Sequence, residues 1–215
     1  MREPALTAML VTQVALVVLG APYASADTRT LAIAYEVFRI LIGILTALIS
    51  RGRIVTGIAV VAVGFILSGN ILEFIAPSVF TAQLSHSGSI AGSVVVGIVV
   101  GRAVLAPGPI TTHRVLGAIV LYLNFGLIAA AIYRVIWDFH PDAFQGLAAD
   151  ATSAQATGAL IYYSFTTLTT TGYGDIVPVN AFARGLANLE AIIGQLYPAT
   201  TLARFVTLEL EARRR

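Results

Sequence analysis

The segment ALIYYSFTTLTTTGYGD, residues 159–175, combines two features that decide the fold. Its first part, Ala159–Thr170, is apolar but covers only about 18 Å as a helix, whereas a spanning helix needs about 20 apolar residues. Its last part, Thr170–Asp175, has glycine at every second position, Gly172 and Gly174. A half-span followed by extended backbone is tolerated at membrane depth only where protein surrounds it or it lines water. The segment therefore predicts a re-entrant loop.

We call Thr170–Asp175 the strip. Consecutive carbonyls of an ordinary strand point to alternate sides, so aiming all of them one way needs backbone angles of unusual sign, which glycine reaches without steric cost. A dehydrated alkali ion needs about 6–8 oxygens. One strip supplies a single oxygen per level, and the ion draws its oxygens from two adjacent levels, so we expect four copies of the chain around one axis. The expected ion-binding residues are Thr170, Thr171, Gly172, Tyr173 and Gly174, with the Thr170 hydroxyl at the inner end.

The composition is that of a membrane protein. Of the 215 residues, 57% are hydrophobic and 11% charged, whereas soluble domains are about one quarter charged. The net charge of +2 gives no nucleic-acid surface. The absence of cysteine excludes disulfides and thiolate metal sites. No cluster of bases, nucleophiles or metal ligands suggests an enzyme.

Six apolar stretches predict an all-α integral membrane protein with six transmembrane helices plus the re-entrant helix and loop. They are Ala5–Tyr23, Leu31–Ser50, Ile54–Ala76, Ile90–Leu105, Val115–Trp137 and about Phe182–Phe205. The fourth is short and has small residues at every fourth position: Ser89, Ser93, Gly97 and Gly101. This spacing indicates either close approach of a neighbouring helix or the general tolerance of glycine in membrane helices.

Arginines in the loops predict the orientation. With six spans, most of them fall on one side, which we expect to be the cytoplasm: Arg51, Arg53, Arg102, Arg114, Arg204 and Arg213–Arg215. Both termini then face the cytoplasm of a multi-pass protein in the cell membrane, and the re-entrant loop opens outward. An alternative at the start is a cleaved signal sequence, because Ala24-Ser25-Ala26 has the form of a signal-peptidase site. The weakly positive N-terminal end favours an uncleaved first helix.

The run Tyr162–Pro178, which contains T-T-T-G-Y-G-D, resembles the pore helix and selectivity filter of potassium channels. The resemblance extends over about Val115–Phe205 and is closest to bacterial channels with a two-helix pore module. It implies a homotetramer in membrane lipid, without an organic cofactor, that binds K⁺ at Thr170, Thr171, Gly172 and Tyr173. We accordingly expect a four-helix transmembrane domain at 1–110 and a pore domain at 111–215, with no soluble ligand domain.

The strip departs from the family pattern at two places. Thr171 replaces the usual valine or isoleucine, and its hydroxyl adds a potential hydrogen bond behind the strip. Thr166 stands where some relatives have a glutamate that pairs with the aspartate after the filter, here Asp175. Tyr162 or Tyr163 offers a replacement donor to Asp175, or both are ordinary interfacial tyrosines. We treat four of these residues as support for the strip: Asp175, Tyr162, Tyr163 and Thr166.

The sixth stretch contains three residues of interest. Glu190 is an ionisable group at membrane depth, and it is interpreted either as a functional group behind the pore helix or as a protonated or paired structural carboxyl. Gly194 and Pro198 lie four residues apart, so the proline ring presses on the carbonyl of the glycine. They form either a gating hinge or a fixed kink.

The first four helices lack the repeated arginines of a voltage sensor, since the fourth has only Arg102. They are interpreted as a packing or lipid-facing domain. His86, His113 and His140 are expected to be solvated loop residues. The leading hypothesis is a potassium channel without strong voltage gating. The alternatives are a weakly selective cation channel, which Thr171 favours, and a non-conducting membrane sensor or scaffold with a pore-like fold.

Overall fold

The computed structural model describes residues 3–25, 37–38, 40–46, 53–76, 78–106 and 110–213. Its helices are α1 (Glu3–Ser25), α2 (Arg53–Ile75), α3 (Val79–Leu105), α4 (Thr112–Phe139), α5 (Ser153–Leu168) and α6 (Ala181–Arg213). Residues 37–38 and 40–46 are also helical. The strands are β1 (Phe144–Gln145) and β2 (Val177–Pro178). Most of the predicted second span, the end of the signal-peptidase motif at Ala26, and Arg51 lie outside the described residues.

Among the described residues, one helix is both long and apolar enough to cross a membrane. It is α4, whose most apolar window has a mean hydropathy of 2.3 and is 44% buried within the chain. Shorter apolar helical segments lie at Leu6–Val18 and Thr56–Gly69. The count of six spans therefore stays a prediction.

The helix that was predicted to be re-entrant is longer than its apolar part. We expected an apolar segment from Ala159, but α5 begins at Ser153 and has 16 residues, or about 24 Å of helix. Thr152 accepts a hydrogen bond from the Gln155 backbone N–H, and the Gln155 side chain accepts one from the Thr152 N–H. This reciprocal capping box satisfies two N–H groups that the first turn would otherwise leave unpaired.

Helix α3 also begins earlier than predicted, at Val79 rather than Ile90, with a capping box formed by Ser78 and Thr81. Its small residues face α4. A Cβ at Gly97 would lie 3.4 Å from the Asn124 side chain. The Asn124 amide donates to the Ser93 carbonyl at 2.8 Å. The stripe of small residues thus serves the close approach of two helices.

A buried charged cluster joins α3, α4 and the start of α5. The Arg134 guanidinium lies 3.1 Å from Asp138 Oδ1 and donates to the Ser153 hydroxyl at 3.1 Å. The other carboxylate oxygen of Asp138 accepts from Gln83 at 3.0 Å and lies 2.9 Å from His86 Nδ1. The Asp138 carboxylate therefore contacts side chains of both α3 and α4.

The structure contradicts the predicted solvated loop positions of His86 and His113, but not that of His140. His86 is not a solvated loop residue: it lies within α3, and its side chain is 13% exposed. His113 lies in the first turn of α4 and is half-buried. His140 is exposed, at the C-cap of α4.

The main core lies where α4, α5 and the start of α6 meet. Its buried residues are Ala129, Tyr133, Trp137, Ala143, Phe144, Ala156, Leu160, Tyr163 and Ala183. Strand β1 pairs antiparallel with β2, with Phe144 opposite Pro178. The connection before α5 is thereby tied to the residues that follow the strip.

Candidate functional site

The sign of the backbone angle φ alternates along the strip. Thr170, Gly172 and Gly174 have φ values of 57°, 55° and 79°, whereas Thr171 and Tyr173 do not have positive φ. Thr170 is the one non-glycine residue with positive φ in the described parts of the chain. In an ordinary strand, successive carbonyls point to opposite sides. A backbone whose φ is positive at every second residue does not follow this alternation. The strip therefore has a conformation that can present its carbonyls to one side.

The inner end of the strip is held by the C-terminus of α5. The Thr171 N–H donates to the Thr166 carbonyl at 2.9 Å, and the Thr170 N–H donates to the Thr167 carbonyl at 2.9 Å. These two bonds, with Thr170 in the left-handed region, form a Schellman motif. The Gly172 N–H also donates to the Thr166 carbonyl, at 3.1 Å. Thr166 thus supports the strip mainly through its carbonyl, while its hydroxyl donates to the Tyr163 carbonyl at 2.9 Å.

Helix α6 touches the base of α5 at Gly194. A Cβ at this position would overlap the carbonyl of Leu168, which also accepts a hydrogen bond from the Tyr122 hydroxyl at 3.3 Å. Helix α6 continues through Pro198 as far as Arg213. The need for glycine at 194 therefore follows from close packing, and a hinge at Gly194 and Pro198 stays a prediction.

Glu190 is 3% exposed and points at the back of α5. Tyr133 of α4 donates to its Oε2 at 2.7 Å. The Ser164 hydroxyl of α5 lies 2.5 Å from its Oε1 and 2.7 Å from the Gly126 carbonyl oxygen. A hydroxyl has one proton, so a protonated Glu190 that donates to Ser164 would let Ser164 donate to Gly126. Of the two interpretations, this geometry favours the paired carboxyl.

The two tyrosines before the strip have different surroundings. The Tyr162 ring stacks on Tyr173, with centroids 6.2 Å apart and an interplanar angle of 1°, and its hydroxyl interacts electrostatically with Asp175. Tyr163 is buried and packs edge-on against Tyr133 and another core ring. Tyr162 is therefore the tyrosine placed to orient Asp175.

The outer end of the strip is braced by the preceding loop. Gly146 has φ of 88°, and a Cβ there would overlap the carbonyl of Asp175. The Asp175 side chain accepts a hydrogen bond from the Ile176 N–H at 3.1 Å.

At the other departure from the family pattern, the Thr171 hydroxyl lies 2.9 Å from that of Thr169. This is the hydrogen bond behind the strip that the extra hydroxyl was expected to offer.

Sequence reasoning missed two contacts between distant residues. Gln195 of α6 donates through Nε2 to the Thr170 hydroxyl at 2.7 Å. Arg204 donates to the Leu105 carbonyl at 2.6 Å, at the end of α3 where the helix dipole favours a cation. Both pairs join residues far apart in sequence, so no local pattern could indicate them.

Comparison with known families agrees with this geometry. Residues 110–210 match the family model described as an ion channel, a region that includes α4, α5, the strip and nearly all of α6. No curated protein and no solved structure matches the chain. The match covers just under half of the chain. It favours a channel over an enzyme, and it supports an ion-channel module at residues 110–210 and with it a membrane location.

Proposed function

We propose that the chain is one subunit of a homotetrameric potassium channel that conducts K⁺ through the strip Thr170–Asp175. The observation that carries the proposal is the alternating sign of φ along the strip, positive at Thr170, Gly172 and Gly174, placed at the end of the 16-residue helix α5. Stacked rings of neutral carbonyl oxygens replace the hydration shell of an alkali cation. The C-terminus of α5, the negative pole of its dipole, adds favourable potential for a cation beside Thr170.

The exposed face of α6 supports assembly from identical copies. Residues on this face alternate in spacing between three and four along the helix, and all are apolar or glycine: Phe182, Gly185, Leu189, Ile192, Leu196, Ala199, Ala203, Val206 and Leu210. A strict seven-residue repeat favours a left-handed supercoil with another helix of the same repeat. The opposite face, which includes Ala183, Glu190 and Gly194, is buried within the chain. A second copy of α6 is the partner that matches this seam.

The proposed setting is the cell membrane of a bacterium, with six spans and both termini in the cytoplasm. Arg204 lies against the end of α3 at Leu105. This contact supports a position on the same side of the membrane for the arginines near the end of α3 and near the end of α6. The loop charges predicted that common side. The exposed apolar side chains of α2, among them Ile58, Val61, Phe65 and Ile71, suit contact with lipid.

Thr171 favours one alternative, a less selective cation channel. Its hydroxyl is bonded to that of Thr169, so polar contacts replace the apolar packing that valine or isoleucine gives. The third reading, a non-conducting sensor or scaffold, predicts the same fold without flux.

Ion flux into liposomes separates these readings. Purified protein would be reconstituted, and K⁺ and Na⁺ uptake would be compared for the parent, Gly174→Ala and Tyr173→Phe. A Cβ at Gly174 meets nothing within 4 Å, so alanine there changes the backbone at φ of 79° and little packing. We expect Gly174→Ala to assemble but lose K⁺ flux, and Tyr173→Phe to keep it.

Each flux result supports one of the three readings. K⁺ uptake well above Na⁺ uptake supports the potassium channel, whereas equal uptake supports the weakly selective channel. No uptake by the folded parent supports the scaffold. Parent-like K⁺ flux through Gly174→Ala would show that the strip is not the conduction path.

A further inference from the structure

Thr170 has an unusual conformation for its residue type. The left-handed position of a Schellman motif is most often glycine, and positive φ is a marked outlier for a β-branched side chain. Thr170 nevertheless has φ of 57°. A side chain retained at such a position must contribute something that glycine cannot, and the hydroxyl is the group that distinguishes it.

The protons around this hydroxyl can be assigned. Thr170 Oγ1 donates to the Thr169 carbonyl at 2.7 Å. Its single proton is then used, so Gln195 must approach with an N–H, as the 2.7 Å contact from Nε2 requires. A hydroxyl oxygen has two lone pairs. Gln195 occupies one of them, which leaves one for a cation.

The approach of Gln195 depends on its neighbour in sequence. Gly194 allows the backbone of α6 to touch the Leu168 carbonyl, and this contact brings residue 195 to the end of the strip. Gln195 itself is exposed, so its amide is not held by burial. Its described contact with the strip is the one to Thr170.

We propose that Gln195 sets the affinity of the inner ion site by donating its amide N–H to Thr170 Oγ1. This inference rests on the proposed function. The donated N–H draws electron density from the oxygen and points positive charge toward the bound cation. Gln195 therefore weakens cation binding at the inner end and favours release of the ion.

The test measures how strongly Ba²⁺, a divalent cation close in size to K⁺, blocks the K⁺ current. Ba²⁺ is applied to planar bilayers from the side of the α6 C-terminus. Gln195→Met removes the amide and keeps an unbranched side chain of similar length. The expected result is a half-blocking Ba²⁺ concentration about fivefold lower, the effect of one ordinary hydrogen bond. Because residue 195 is exposed, the substitution should leave folding intact, and Gln195→Leu provides a second variant.

Two comparisons make the test specific. In a Thr170→Val background, Gln195→Met should shift block by less than about twofold, because the oxygen through which it acts is gone. Thr200→Val is the matched control: its hydroxyl bonds only backbone carbonyls of α6, at Leu196 and Tyr197, and block should not change.

Each result decides the question. Unchanged or weaker block in Gln195→Met, or the same shift in the Thr170→Val background, overturns the role of Gln195 while the potassium channel stands. A folded parent that carries no K⁺ overturns the proposed function and this inference together.

Discussion

The carbonyl of Leu168, the last residue of α5, lies against the backbone of α6 at Gly194. This contact joins the inner end of the strip to α6, the longest of the described helices. It is possible because the facing residue has no Cβ. The position of α6 relative to the strip is therefore set by backbone, which cannot adjust as the far end of a flexible side chain can.

Gly194→Ala is expected to destabilise the protein by about 1–3 kcal/mol, the usual cost of overpacking. Thermal unfolding in detergent measures the change. Gly64→Ala is the control, since a Cβ there meets nothing within 4 Å, and alanine in a helix interior should stabilise by up to about 1 kcal/mol. If Gly194 serves only as a hinge, its alanine variant should unfold like the control and differ only in gating.

Replacing Glu190 separates the two protonation states of its carboxyl. A glutamine can accept from Tyr133 and donate to Ser164, as a protonated glutamate does, so Glu190→Gln should lie within about 1 kcal/mol of the parent. Glu190→Leu should lose about 2–3 kcal/mol, because the Tyr133 and Ser164 hydroxyls stay buried without this partner. Denaturation of both variants in the same detergent measures the difference. Equal losses in both would indicate an ionised carboxylate.

Asp138→Ala is expected to cost about 3 kcal/mol, because it leaves the buried Arg134 guanidinium without its carboxylate. It also removes the polar contacts from α3 through Gln83 and His86. Asp142→Ala, at an exposed position three residues beyond α4, should stay within about 0.5 kcal/mol. Thermal unfolding of the pair checks this, and similar midpoints would contradict a structural role for the cluster.

Voltage is expected to change open probability only weakly. One elementary charge that crosses the membrane gains about 2.3 kcal/mol per 100 mV. Helix α3 carries a single arginine, Arg102, in its last turn. Single-channel recording across a range of voltages tests this. A steep increase in opening, equivalent to several charges per subunit, would exclude it.

The sequence predicted those parts of the site that depend on local backbone chemistry. Glycine at every second position indicated the sign changes found at Gly172 and Gly174. The early start of α5 could also have been predicted from the sequence, because Thr152 and Gln155 have capping-box spacing. We instead placed the segment by its continuous apolar run from Ala159, although Ala156 is already buried in the core.

Contacts between distant elements could not be predicted in this way. The polar first turns of α3 suggested a loop, but Gln83 and His86 are helical and bind Asp138, more than fifty residues away. Gln195 and Thr170 likewise belong to different elements. Such pairs depend on how helices pack, and a single sequence contains no periodic signal for that packing.

The brace at Gly146 has a consequence for the thermodynamics of ion binding in the proposed channel. The strip is held at its inner end by the Schellman motif at Thr170 and at its outer end by backbone contact between Gly146 and Asp175. Fixing the backbone of one residue costs about 1–2 kcal/mol of conformational entropy. Because the fold itself orders the strip, that loss accompanies folding and not each binding event. In the proposed channel, an arriving ion would therefore meet preorganised oxygens, and its binding free energy would not include the cost of ordering the strip.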